Sequence, residues 1–202
     1  MEQKINLRYE QLELRIKTIQ KNLDFKQSPL GITAIQSDKL RAIIVLSHAE
    51  IESYIEDLAL IKIDEAEVKW KNTKIANHCL ASLFINHDRI ETNDTTFTKS
   101  FKIIKEYRKI IEDNHGIKEH NIKNLFGKIG YKIDDFDSVF IANLEAFGSE
   151  RGAIAHTTAT KVTQQMDKST VINKINDIVR DLKDFQNILF QDCGQAIDAE
   201  QE

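Results

Sequence analysis

An all-α bundle of about six to eight helices is the fold class this sequence predicts, and three observations predict it. Chain breakers are scarce, with one proline, Pro29, and seven glycines in 202 residues. An all-β chain would need a turn signal about every 8–12 residues. Apolar residues recur at steps of three and four along most of the chain, which is the spacing of one helix face. The hydrophobic content of 41% suffices for a core at this length, and 30% charged residues falls short of a disordered profile.

The elements follow in order. Ile5, Tyr9, Leu12, Ile16, Ile19 and Leu23 predict a first helix over residues 3–24. It should stop before Ser28-Pro29-Leu30-Gly31, because the residue preceding a proline avoids the helical region. Ser37 suits the N-cap of a second helix, whose stripe is Leu40, Ile43, Ile44, Ile51, Tyr54, Ile55 and Leu58, with Ser47 as the odd polar member. A third helical region, 64–86, carries Trp70, Ile75, Leu80 and Phe84, with a break near Asn72-Thr73. His87 to Thr96 is polar and reads as a loop. Phe97, Phe101, Ile104, Tyr107, Ile110 and Ile111 mark a fourth helix ending near Gly116, and a short helix fits Glu119 to Ile129. Asp134 or Asp135 can cap the next helix, which carries Phe136, Val139, Phe140, Leu144 and Phe147. Gly148-Ser149 follows, then Glu150 to His156, then a threonine-rich break from Thr157 to Thr163. Val171, Ile175, Ile178, Val179, Leu182, Phe185 and Leu189 form the last helix, before a polar, acidic tail over 191–202 that should fray. No composition shift divides the chain. Residues 1–190 read as one domain, with a core over about 38–190 and the N-terminal helix packed on it.

Several classes drop out. No stretch reaches the roughly 18 consecutive apolar residues of a membrane span, and Met1-Glu2-Gln3-Lys4 lacks the apolar core of a signal peptide. Cys79 and Cys193 follow no metal or redox spacing, so a cytoplasmic chain with two free thiols is expected. There is no glycine-rich phosphate loop, no CxxC pair and no HExxH helix, so neither cofactor nor metal is expected. His87-Asp88 lacks partner histidines and aspartates at usable spacing. Asn77-His78-Cys79 lies on a mostly apolar segment, where a thiol reads as core.

Arg151-Gly152-Ala153-Ile154-Ala155-His156 is different. Small and apolar residues separate an arginine from a histidine, which lets the backbone pack closely while two polar side chains stand at a rim. Histidine titrates near neutral pH and moves protons. Arginine stays charged and clamps phosphate oxygens with two parallel donors. Together they suit metal-free cleavage of RNA, in which the ribose 2′-hydroxyl attacks the adjacent phosphate. The spacing alone has low specificity, with roughly 0.6 chance matches to Arg-x(4–6)-His expected in this composition. A second match is indeed present. Arg41 and His48 are nearly eclipsed on the second helix and Glu52 continues their ridge, which reads as a solvated or partly buried polar face.

Context separates the two matches. The chain resembles the HEPN superfamily of small α-helical domains, many of them ribonucleases. The resemblance rests on Arg151 to His156, on their place late in an all-α domain after the helix of Leu144, and on the long helix that follows. The segment from Leu46 to Leu58 is similar to the early helix of the RiboL-PSP-like branch. This likeness covers residues from about 38 to 190. It implies two protomers whose Arg/His motifs face each other, and RNA cleavage without a metal. Arg151 would hold the phosphate and the transition state, and His156 would be the acid or base, or would orient the 2′-hydroxyl. Family nucleases often place asparagine or aspartate after the arginine, where this chain has Gly152. Ser47, His48, Glu52, Ser149, Glu150 and Thr157 are the polar groups that can support such a site.

Charge adds direction. The chain carries −4 overall, yet Lys99 to Lys132 holds nine cations against four anions, a net +5 that leaves −9 for the rest. Lys118, Lys123, Lys128 and Lys132 are the residues placed to meet an RNA backbone. The expected function is a homodimeric, metal-independent endoribonuclease, a toxin or anti-phage effector with an antitoxin or other regulatory partner. The alternative is a non-catalytic module of the same fold that binds a nucleotide, RNA or a protein. A helical interaction domain is the third reading, and it requires His156 to be buried with fixed hydrogen bonds.

Overall fold

A computed structural model of the chain describes residues 2–21, 25–26, 31–86, 96–156 and 166–191. These comprise seven α-helices and two short 3-10 turns, with no strand among the described residues. The helices are α1 (Glu2–Lys21), α2 (Ala34–Thr73), α3 (His78–Ile85), α4 (Thr96–Glu112), α5 (Glu119–Phe126), α6 (Ser138–His156) and α7 (Lys168–Phe190). The chain is all-α, as its periodicity predicts. The predicted loop over 87–95, the break after His156, Pro29, Leu23, Cys193 and the tail beyond 191 lie outside the described residues.

α2 is the axis of the bundle, and it departs from expectation. The second predicted helix and the part of the third region before its break are one unbroken helix of 40 residues, about 60 Å long, and the part after the break is α3. The stripe of the first half does not stop at Leu58, because Ile61, Ile63 and Ala66 are also buried, and no glycine or proline intervenes. Its two halves have different neighbours. α1 lies along the first half, with Arg8 on Asp57 at 2.5 Å and Arg15 on Glu50 at 2.8 Å. α4 lies along the second, where the Trp70 indole donates to Ser100 at 2.8 Å and Arg108 bonds Asp64 and Glu67. The N-cap is Thr33 rather than Ser37, in a reciprocal capping box with Gln36. The helix ends at Thr73, at the break expected near Asn72-Thr73, through Lys74 in the left-handed conformation at φ 60°.

Other boundaries also shift. α4 ends at Glu112, short of Gly116. α6 is capped by Asp137, whose carboxylate accepts from the Phe140 amide at 2.7 Å. Asp135 instead accepts from the Lys132 amide at the preceding 3-10 turn. Gly148-Ser149 does not interrupt α6, which runs on through His156.

The core gathers around α2 and α7. Tyr54, Ile55 and Leu58 are fully buried. Phe185 of α7 sits among Phe126, Phe136 and Phe140 at centroid distances of 5.2, 4.5 and 5.6 Å. Buried tyrosines close polar ends: Tyr54 donates to Gln186 at 2.6 Å, Tyr107 to the Leu125 carbonyl at 2.9 Å, and Tyr131 to the Leu189 carbonyl at 2.7 Å. α1 is joined directly to α7. Tyr9 donates to the Val179 carbonyl, Gln20 to Asn176, and Lys183 to Asn6.

Candidate functional site

α6 carries the Arg/His motif and runs antiparallel to the N-terminal half of α2. The register follows from two contacts. The His48 ring packs on Phe147 with centroids 6.0 Å apart, and the Arg41 guanidinium donates to the Ile154 carbonyl at 2.9 Å. Arg151 is four residues beyond Phe147 and three before Ile154, so it shares their side of the helix. It therefore lies at a level between Arg41 and His48 and is half-buried. His156 is the last residue of α6 and is exposed.

The two motif residues are five positions apart, which turns their side chains about 140° apart on a helix. Arg151 faces α2, whereas His156 points away from it. On the outward face, His156 continues a row of exposed, mostly small residues: Ala142, Ala146, Ser149 and Ala153. The interaction-domain reading, which needs a buried His156, is not met.

The α2 ridge is not a solvated face. His48 is buried at 2% exposure and Arg41 is half-buried. Glu52 Oε2 lies 3.5 Å from His48 Nδ1, which leaves that buried nitrogen without a hydrogen bond. Ser47 is also fully buried, and its hydroxyl makes no hydrogen bond. Glu56 continues the ridge one turn beyond Glu52. Its carboxyl is pushed up from the usual range by burial, against the hydrogen bond from Asn114, and by the nearby Glu52 and Asp57 charges.

A polar relay connects that ridge to α6. Asn114 donates to Glu56 at 2.8 Å and accepts from Asn121 at 3.1 Å, while Asn121 accepts from the Lys118 amide at 3.2 Å. The Lys118 ammonium reaches Glu145 of α6 at 3.7 Å, and Glu145 also accepts from the Glu119 amide at 3.1 Å. The Lys118 stem crosses α6 at Gly148, where a Cβ would come within 2.9 Å of it. Glycine is required there for this close approach, not as a breaker.

The remaining expected residues are dispersed. Lys123 pairs with Glu119 on its own helix, Lys128 is half-buried and Lys132 is exposed. Glu150 pairs with Lys174 of α7 at 2.7 Å, which turns it towards the bundle. Ser149 is exposed, and Thr157 and His87-Asp88 lie outside the described residues. Cys79 is buried at 3% exposure. Among the described residues no three His, Cys, Asp or Glu side chains are grouped to hold a metal ion, and no helix is long and apolar enough to cross a membrane. Glu56, Asn114 and Glu145 were not anticipated. For Glu56 the signal was available, since it continues the spacing of His48 and Glu52.

No curated protein and no solved structure matches the chain. Residues 10–193 match the sequence model of RiboL-PSP-HEPN, a span that holds α2 to α7 and both polar rows flanking α6. With its all-α architecture and its Arg-x4-His segment closing α6, the chain belongs to the RiboL-PSP-HEPN family.

Proposed function

We propose that the chain is a metal-independent endoribonuclease that works as a homodimer, in the role of a toxin or anti-phage effector held in check by an antitoxin or other regulatory partner. Many HEPN domains are ribonucleases. The observation that carries the reading is the exposure of His156 at the end of a row of small residues. A second copy can approach such a row closely, bringing the two exposed His156 side chains to a shared interface. Arg151 offers its guanidinium to the phosphate and to the charge that grows on it during attack. His156 takes the proton from the 2′-hydroxyl or delivers one to the leaving 5′-oxygen. The products are a 2′,3′-cyclic phosphate and a 5′-hydroxyl. Lys118 lies one turn before Arg151 along α6 and adds positive charge beside the RNA backbone.

The test is cleavage of total RNA in EDTA by wild type and by His156→Ala, purified alike. Cleavage by the wild type alone is expected, and Arg151→Ala should lower kcat by about a hundredfold or more. Cleavage that depends on added Mg²⁺, or products ending in a 3′-hydroxyl, would overturn the reading. One feature favours the non-catalytic binding module, namely Gly152 in place of a polar residue after the arginine. Wild-type silence on every RNA, with RNA retained on the protein, is the outcome that reading requires.

A further inference from the structure

We infer that Arg41 is a positioning residue for His156. The inference rests on the nuclease reading for its catalytic consequence, but not for its structural content. The last four carbonyls of a helix have no intrahelical amide to bind. Ile154 is in the last turn of α6, two residues before His156, and its carbonyl accepts from the Arg41 guanidinium at 2.9 Å. The hydrogen bond spans 113 residues of sequence and is partly buried. A cation at this end of a helix is also favoured by the helix dipole. Four residues before Arg151, His48 of the same α2 row packs on Phe147. α2 thus grips α6 on both sides of Arg151, and the Arg41 contact is the one at the histidine end.

His156 itself is exposed, so nothing of its own burial fixes the turn that carries it. A turn at a helix end frays readily. Arg41 supplies a charged donor from a neighbouring helix, and α2 is anchored along its length by the core. The second Arg-x(4–6)-His match therefore supports the first: Arg41 does not touch substrate, and it sets where the His156 imidazole sits.

The experiment compares wild type, Arg41→Gln and Arg41→Lys in three measurements on the full-length protein. Amide hydrogen exchange is followed in the segment 150–156, urea unfolding gives global stability, and kcat and KM are measured for RNA cleavage. Arg41→Gln should speed exchange in the last turn of α6 by about tenfold or more while amides of α2 and α7 are unchanged. It should lower kcat by about ten- to a hundredfold with KM within about twofold. Arg41→Lys, which keeps a cationic donor, should recover part of both effects. Unchanged exchange in the last turn of α6 would overturn the inference. So would a rise in KM with kcat intact, which would make Arg41 a substrate contact, or a uniform rise in exchange with a lower urea midpoint, which would make it a general packing residue. Faster exchange in a protein whose wild type cleaves no RNA would uphold the positioning role and overturn the nuclease reading instead.

Discussion

Gly152 stands in the last two turns of α6, directly after Arg151, and replacing it with alanine should stabilise the chain. Its backbone is helical, since the described glycines with positive φ are Gly31 and Gly130. Beyond its own helix, a Cβ built on Gly152 meets no atom of the described residues within 4 Å. With no contact to gain or lose, backbone entropy decides the sign. Glycine in a helix interior costs about 0.5–1 kcal/mol relative to alanine. Position 152 is near the helix end, so about 0.5 kcal/mol is expected. For a chain of this size that corresponds to roughly 1–2 °C in Tm. The assay is thermal unfolding followed by circular dichroism in dilute protein, with Gly152→Asn in parallel. Asparagine should gain only a few tenths of a kcal/mol, by helix propensity. If the polar residue common in family nucleases assists Arg151, asparagine alone should raise kcat for RNA cleavage. A fall in Tm of about 2 °C or more for Gly152→Ala in dilute protein would refute the reasoning, because some group would then have to occupy the space beside Gly152.

Gly130→Ala should behave oppositely. Gly130 has φ 96°, and a Cβ would lie 2.3 Å from His78 and 2.4 Å from Ser82, so a loss of about 1–2 kcal/mol from the backbone alone should appear in urea unfolding, and His78→Ala should not restore it. Tyr107→Phe removes the buried donor to the Leu125 carbonyl and should cost about 1–3 kcal/mol in the same assay, because the carbonyl is left unsatisfied. The Glu67 carboxyl is pushed up by burial, but hydrogen bonds and charge from Lys71 and Arg108 outweigh this and hold it below its usual value. A depressed carboxyl stabilises the fold fully above its unfolded pKa, near 4.5, and that contribution is lost as the pH falls through the folded value. Urea midpoints measured from pH 7 down to about 3 should therefore drop more steeply in wild type than in Glu67→Gln; parallel curves would show that the cluster contributes nothing.

The helical class and most of the core were legible because both follow from spacing and composition. Residues such as Tyr54, Leu58, Tyr107, Phe185 and Leu189 sit on the stripes that predict them and are buried. Boundaries were less legible where tertiary contacts decide them. The absence of glycine and proline past Leu58 allows α2 to continue, but the contacts with α4 that hold its far half are not visible locally. Lys74 ends it in a conformation usually taken by glycine or asparagine. Gly148 gave no sign in the sequence that it serves a close crossing by Lys118, a contact 30 residues distant. At the site, Arg151 and His156 were visible as a spacing. Their divergence around the helix follows from the same spacing, whereas the role of Arg41 was hidden. Its partner is a backbone carbonyl, which carries no side-chain signature.

The ties between α1 and α7 have a consequence for the nascent chain. Asn6 meets Lys183, Tyr9 meets Val179 and Gln20 meets Asn176, across 177, 170 and 156 residues. α1 can pack on α2 earlier, through Arg8–Asp57 and Arg15–Glu50, but these three ties form only once α7 is made. Between His156 and the end of α7 lie roughly 35 residues, which take about 2–7 s to synthesise at 5–20 residues per second. During that interval the motif and its α2 contacts are already translated, while Lys174 of α7, the partner of Glu150 beside Arg151, is still being made.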